Sequence, residues 1–274
     1  DLTSEQDLFD LAAATQEVYE IMFDRVIKLA HESVSFSTNL VLMGGCALNC
    51  KANSMITANY GFKDIWIMPN PGDAGSSIGV TQKFNEDWNL NWKTPYLGYN
   101  IEGDYPVEKS LKALLDGDII GIANGRAEFG PRALGNRTLT ADPRGPLIKD
   151  KMNGIKHRQK FRPFAPMILE EDVHDYFDMP ENVTQSPYMQ FVAECKFPKE
   201  FPAIVHIDNT SRVQTVNQLQ HPELYQLLSR FKEETGCPML VNTSLNIKGK
   251  PIVNNEQDAI DFSKHYGVKV FTSD

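Results

Sequence analysis

Apolar residues recur at a helical period along residues 3–31, at Leu8, Leu11, Ala12, Val18, Ile21, Met22, Val26 and Leu29. This predicts one long helix with Thr3 or Ser4 as its N-cap. The apolar run 40–43 ends in Gly44-Gly45 and leads into ALNCKANSMI, a pattern of strand, tight turn and helix. The device then repeats. Residues 65–68 are apolar, PNPGD is a turn, and AGSSIGVTQKF spaces small residues for a helix packed closely on its neighbours. Two strand-turn-helix units predict an α/β layer structure.

Residues 85–105 lose this periodicity and gather Asn, Gly and aromatic residues, which predicts a domain boundary near 95–105, with units at 1–97 and 98–274. The second unit reads as α+β or a mixed sheet. A helix is expected at 107–115, with strands near 119–123, 165–169, 189–193, 203–207 and 239–241. Further helices are expected near 147–153, 222–235 and 255–264. No repeat of fixed period and no low-complexity tract interrupts it.

Composition changes this picture little. The 274 residues are 41% hydrophobic and 23% charged, near the averages for globular chains, so a folded protein with a real core is expected. No apolar run approaches the roughly 18 residues of a membrane span, and the first residues lack a signal peptide's basic start and apolar core, so a soluble, cytoplasmic protein is expected. The chain starts at Asp1, directly before a helical pattern, which suggests a fragment or a trimmed chain. Cys46, Cys50, Cys195 and Cys237 are too scattered for a disulfide framework, and Cys46 and Cys50 lack a second pair for a zinc site. They read as reduced thiols.

Charge is more informative. The net charge of −9 opposes a general nucleic-acid coat. Yet residues 125–166 hold ten Lys or Arg (Arg126, Arg132, Arg137, Arg144, Lys149, Lys151, Lys156, Arg158, Lys160, Arg162) against Glu128, Asp142 and Asp150. This window carries +7, and the remaining 17 bases and 33 acids carry −16. A basic island in an acidic chain suits an anion site of limited size better than a polyanion track. Six of the ten are arginine, several beside Gly, Pro or Phe, unlike a lysine-rich solvated face.

Four motifs could carry chemistry. Gly44-Gly45 stands where a strand turns into a helix, permitting close backbone approach and offering free N–H groups to an anion. Asp73 lies in the second glycine turn, where a carboxylate either caps the helix or ligates a metal. NGRAEFGPRALGNRTLTADPR, residues 124–144, holds four arginines between glycines and prolines. This reads as a folded loop that aims guanidinium forks inward at phosphate or carbonyl oxygens. Lys156 and Arg162 precede a buried strand, Arg212 lies among hydroxyls in DNTSRVQTV, and NTSLN (242–246) follows an apolar strand with groups for a planar amide. No Ser/His/Asp or Cys/His arrangement stands out, and the histidines never fall at i, i+4 spacing. The pattern implies electrostatic rather than covalent catalysis.

In order and approximate spacing, GGCALNCKAN, PGDAGSSIG, EFGPRALGNRTLTADPR, IKHRQKFRPFAP, TSRVQTV and NTSLNIKGKPIV resemble a known enzyme family, the O-carbamoyltransferases that include nodulation protein U and the cephalosporin and tobramycin carbamoyltransferases. The resemblance runs from about residue 40 to 255. It implies an actin-like ATPase-fold domain followed by a YrdC-like domain. The YrdC-like part condenses carbamoyl phosphate with ATP to carbamoyladenylate, and the actin-like part, holding a divalent metal (Fe or Mg), passes the carbamoyl group to a hydroxyl of a small-molecule acceptor.

Carried over by motif, Arg132, Lys156, Arg162, Arg212 and Ser244 would form the carbamoyl-phosphate pocket, supported by Asn242 and Asn246. Asp73 resembles the metal-binding aspartate, and Gly44, Gly45 and Asn49 the nucleotide-contacting turn. Nothing corresponds to the family's paired metal histidines or its first phosphate-binding hairpin, so residues 1–95 resemble only the second lobe of the actin-like domain. Self-association through residues 40–85, or a separate polypeptide supplying the first lobe, is therefore expected. Two competing readings are an RNA-binding YrdC-like module, opposed by the charge balance, and a catalytically incomplete scaffold or regulatory half-protein.

Overall fold

The computed structural model describes residues 4–84 and 93–274. Helix α1 (Glu5–Ser33) starts at Ser4, whose hydroxyl accepts from the Asp7 N–H while the Asp7 carboxylate accepts from the Ser4 N–H. The alternative cap Thr3 and the aperiodic residues 85–92 lie outside the described residues. Strand β1 (Asn39–Leu42) leads through a 3₁₀ turn at Gly45–Leu48 into α2 (Cys50–Tyr60), and β2 (Asp64–Ile67) through a second at Asp73–Gly75 into α3 (Ser76–Lys83). The two strands pair in parallel with Leu40 opposite Ile65, as expected of consecutive strand-turn-helix units.

The remaining chain adds β3 (Tyr96–Ile101), α4 (Val107–Leu115), β4 (Ile120–Ala123), β5 (Gly125–Glu128), β6 (Arg137–Thr140) and α5 (Ile148–Ile155). Then follow β7 (Ala165–Leu169), α6 (Val173–Tyr176), β8 (Phe177–Asp178), β9 (Val192–Cys195), β10 (Thr210–Arg212) and β11 (Gln214–Val216). Helix α7 (Pro222–Thr235), β12 (Met239–Ser244), α8 (Glu256–Tyr266) and β13 (Lys269–Phe271) complete it. A mixed six-stranded sheet runs in the order β11-β7-β12-β6-β4-β13, parallel at its two outer pairings and antiparallel between them. The chain is thus a mixed α/β protein.

Helix α7 shows why these residues form the core. His221 caps it by accepting from the Leu224 N–H, Pro222 opens its first turn, and Gly236 at φ 74 ends it. Leu224, Leu227, Leu228 and Phe231, at i, i+3, i+4 and i+7, are all fully buried, packing with α4 and the sheet residues Met167, Ile168, Leu240 and Val241. The N-terminal unit docks on this body through backbone approach and polar contacts. A Cβ on Gly130 would stand 2.5 Å from the Pro69 carbonyl oxygen, so only glycine fits there. The Ser54 hydroxyl donates to the Val192 carbonyl (3.1 Å) and accepts from its N–H (2.9 Å), and Asn53 Nδ2 donates to the Gln190 carbonyl (3.0 Å).

Several expectations need correcting. Residues 203–207 are not a strand: Ala203, Ile204 and Val205 are buried, but their backbone follows turns, and Ile207 is fully exposed. The strand expected at 189–193 begins at Val192, because Met189 takes a left-handed φ of 59. Residues 96–101, read as aperiodic, pair with β5. The stretch 124–144 is not one loop, since β5 and β6 frame it. On α1 only Ile27 is buried, while Leu8, Leu11, Val18, Met22 and Leu29, spaced three, seven, four and seven residues apart, stay largely exposed. Among the described residues, α1 thus exposes large apolar side chains in addition to Val41, Met43, Trp66, Val80 and Phe84 within residues 40–85.

Arg137 is the largest fully buried side chain. Its Nη1 donates to the carbonyls of Asn124 (2.9 Å) and Asn136 (2.8 Å), and its Nη2 to those of Tyr99 (2.9 Å), Gly125 (3.1 Å) and Asn254 (3.1 Å). A lysine offers three donors from one atom and cannot span these carbonyls. Arg137→Lys is expected to lower the unfolding free energy by about 3 kcal/mol in a denaturant titration, since it leaves buried carbonyls unpaired.

Candidate functional site

Two adjoining cavities lie at the end of the mixed sheet. The inner, about 150 Å³, is lined by Arg132, Arg158, Phe164, Met189, Arg212 and Ser244 among others. The outer, about 290 Å³, is lined by Lys156, Arg158, Arg162, Ser244, Asn246 and Lys248 among others. Arg158 and Ser244 face both. The inner space is below the roughly 300–1,000 Å³ typical for drug-sized ligands, so it suits a small anion.

The loop carrying Arg132 is held by its own backbone. One oxygen of Glu128 accepts N–H groups from Leu134 (2.7 Å), Asn136 (2.8 Å) and Arg137 (3.1 Å). The Leu134 carbonyl accepts from the Tyr96 hydroxyl (3.0 Å) and Gln214 Nε2 (3.1 Å), and the Gly135 carbonyl from the Tyr105 hydroxyl (3.0 Å). Of the four arginines expected to aim inward from this stretch, Arg132 alone lines a cavity. Arg126 is exposed, Arg137 is buried as a strut among carbonyls, and Arg144 forms an ion pair with Asp142. Arg137 alone of these three lies on β6, opposite Ala123 of β4.

Lys156 and Arg158 are set by the end of α5. His157 takes a left-handed φ of 52, and the Arg158 N–H donates to the Asn153 carbonyl (3.1 Å) and the His157 N–H to that of Gly154 (3.2 Å). This closure normally uses glycine, and here a bulkier residue occupies a strained position beside the site. It sends the flanking cations different ways. Lys156 Nζ, nearly buried, donates to the Ser244 carbonyl, to the Asn246 carbonyl (2.9 Å) and Oδ1 (3.0 Å), and lies 3.3 Å from Ser244 Oγ. Arg158 lies over the Phe164 ring, 4.3 Å from its centroid, with Nε donating to Asn153 Oδ1 (2.6 Å).

These cations are crowded and dry. Burial, then the charge of Arg212, lowers Arg132 to about 10. Burial, then Arg162 and Arg212, lowers Arg158 to about 10. Burial, then Arg158, lowers Lys156 to about 7. Arg212 Nε is buried without a protein partner. Clustered, incompletely paired guanidinium groups form a site complementary to an anion, which would relieve both desolvation and mutual repulsion.

The structure thus gathers Arg132, Lys156, Arg162, Arg212, Ser244, Asn242 and Asn246 around adjoining cavities, with Arg162 exposed at the outer one. Asn242 is spent internally: its Nδ2 donates to the Ala133 carbonyl and Gln214 Oε1, and its Oδ1 accepts from Thr138. Arg158 was not singled out from the sequence. Its position two residues past Lys156, across a helix end, was the available signal.

The other predicted residues lie on the N-terminal unit. The Gly44 N–H is taken by the Pro71 carbonyl (2.7 Å). Gly45 packs near Gly72, so the two glycine turns stand side by side. Asn49 caps α2 and exchanges amide hydrogen bonds with Gln16. Asp73 is exposed, and among the described residues no three His, Cys, Asp or Glu side chains are grouped to hold a metal ion. The described residues therefore do not by themselves fit a metal at Asp73. All four cysteines are free, and among the described residues no helix is long and apolar enough to cross a membrane.

Comparison with known proteins matches residues 2–81 to the carbamoyltransferase N-terminus family and residues 111–273 to the carbamoyltransferase C-terminus family. The chain is 34% identical to nodulation protein NolNO of Sinorhizobium fredii over 92% of its own length and 41% of that protein's. It is 31% identical to the 3'-hydroxymethylcephem-O-carbamoyltransferase of Amycolatopsis lactamdurans over 91% of its own length and 50% of the relative's. It spans about half the length of such curated relatives. Among solved structures, full-length HypF in its phosphate- and nucleotide-bound form matches 70% of this chain and 34% of its own, at 17% identity and a TM-score of 0.45, too low to support an argument.

The lowered Lys156 makes stability depend on pH. Between about 7 and the ordinary value of 10.5, the unfolded chain binds a proton at this side chain that the folded chain does not, so its contribution to stability rises with pH across that window and is flat below it. Lys156→Met is expected to abolish this rise. Denaturation midpoints of both proteins from pH 6 to 10 check it, and parallel profiles would show that Lys156 titrates normally.

Proposed function

The chain belongs to the carbamoyltransferase family, and on that premise we propose that its arginine cavities bind carbamoyl phosphate for O-carbamoyl transfer. In this reading carbamoyl phosphate is hydrolysed to carbamate and inorganic phosphate, a carbamate oxygen attacks the α-phosphorus of ATP to form carbamoyladenylate with release of pyrophosphate, and the hydroxyl of a small-molecule acceptor then takes the carbamoyl group, losing its proton and releasing AMP. The observation that carries it is the convergence of Arg132, Arg158 and Arg212 on one small cavity, with Arg212 Nε unpaired. Guanidinium forks match phosphate oxygens bidentately and neutralise a dianion. The Ser244 hydroxyl donates to Asn246 Oδ1 (2.6 Å), which leaves its oxygen to accept from the amide N–H of a carbamoyl group. The outer cavity, with Lys156, Arg162 and Lys248, is the space for the polyphosphate of ATP. In the same reading residues 98–274 are the YrdC-like unit, and residues 1–97 the second lobe of an actin-like domain. The turns at Gly44, Gly45 and Asn49 would face nucleotide, and Asp73 would give one ligand to a divalent metal (Fe or Mg) completed by groups from elsewhere.

Calorimetric titration with carbamoyl phosphate tests the assignment. Arg212→Ala removes a guanidinium of the inner cavity and is expected to weaken binding by about 1.5–3 kcal/mol, roughly tenfold to over a hundredfold. Arg162→Ala, at the exposed outer cavity, is expected to cost less with carbamoyl phosphate and more with ATP. Absence of carbamoyl phosphate binding to the wild-type chain would refute the reading.

We further propose that the apolar row on α1 is an association face for a second copy or for a separately supplied first lobe. Its large side chains, Leu8 (55% exposed), Met22 (61%) and Leu29 (63%), form too long a stripe to stay open to water. Light scattering at low micromolar concentration should show self-association that Met22→Glu with Leu29→Glu abolishes. A clean monomer that binds no apolar dye would exclude such a face.

A further inference from the structure

We infer that Asn153 is the positioning residue of the site, fixing the cations of the two cavities in register through its one amide. This rests on the reading of the cavities as an anion site and adds what sets their geometry. Asn153 touches neither cavity. It lies on α5, fully buried, and every polar atom of its side chain has a partner in the segment that carries the cations. Its Oδ1 accepts from Arg158 Nε at 2.6 Å, and its Nδ2 donates to the carbonyls of Lys160 (3.2 Å) and Arg162 (2.8 Å). Its own carbonyl accepts the Arg158 N–H (3.1 Å).

The consequence is geometric. Arg158 would otherwise sample many rotamers, and the amide holds Nε so that the guanidinium sits over the Phe164 ring and faces both cavities. The chain between 158 and 163 has no regular ladder to shape it, and the same amide ties down its two carbonyls on either side of Phe161, which is 65% exposed. Arg162 leaves the chain at one of those carbonyls. The acceptor half of the amide thus orients the Arg158 guanidinium and the donor half holds the backbone from which Arg162 projects, so one planar group places both residues at the outer cavity.

Asn153→Asp separates the two halves, because it keeps the shape and the acceptor for Arg158 but turns an oxygen towards the carbonyls of Lys160 and Arg162. Inorganic phosphate is titrated by calorimetry into the wild type, Asn153→Asp, Arg162→Ala and the double variant, with melting temperature recorded for each. Asn153→Asp is expected to weaken phosphate about tenfold in the wild-type background, the order of a lost charge-assisted contact. In the Arg162→Ala background it should change affinity less than about twofold, because the arginine it acts through is gone. A merely structural role would lower the melting temperature alike in both backgrounds without this loss of effect. Asn153→Ala, which sets no like dipoles together, is read through the same cycle if Asn153→Asp does not fold. Unchanged affinity in the single variant, or equal weakening in both backgrounds, would overturn this inference alone. A wild type that binds no phosphate would overturn it together with the anion-site reading.

Discussion

The site is built around a half-buried carboxylate and a fully buried guanidinium nine residues apart, Glu128 and Arg137. Burial lowers Arg137, and the charge of Glu128 opposes that shift. The partners of both are mainly backbone groups, although Glu128 Oε2 stays buried without one. Glu128 collects N–H groups on one oxygen, and Arg137 spreads its donors over carbonyls from four separate stretches of chain. Residues 129–136 therefore have little freedom, and Arg132 projects from a loop whose shape the frame dictates. A glycine-rich segment that would otherwise be costly to order becomes a rigid presenter of one guanidinium.

The cavity cations are arranged on the opposite principle. Arg132 and Arg158 are lowered by burial and by neighbours of their own sign, and Arg212 keeps a buried Nε unpaired. A protein selected only for stability would have little use for such a cluster. Polar order stored in place of stability is what an anion-binding site requires, because donors held ready do not have to reorganise when the ligand arrives. The rest of the chain is acidic, which confines the positive potential to this mouth.

The N-terminal unit meets the larger body with complementary backbone groups, at Ser54 with Val192 and Pro69 with Gly130, and with a small apolar cluster of Ala47, Ile67, Val183 and Phe191. Its outer face is different. Helix α1 presents to water most of the apolar residues that give it its periodicity.

Residue pattern alone determined the long elements and the chemistry. The helices α1 and α7 follow from a period of 3.6 over many residues, and the strands read near 40–43, 65–68, 119–123, 165–169 and 239–241 from short apolar runs between turn signals. The expectation of an anion site came from arginines placed among glycines and prolines, a composition with few other uses. Tertiary structure alone decided which arginines serve. Arg137 looks like Arg132 in the sequence, but its strand is paired on both edges and its side chain is spent on carbonyls. Short strands such as β3, β5 and β6 were illegible because their hydrogen-bond partners lie far along the chain, so no local periodicity records them. The same reason hid Arg158, and Asn153 beneath it. Their roles rest on one hydrogen bond across a helix end and one stacked ring, and a sequence states neither of those distances.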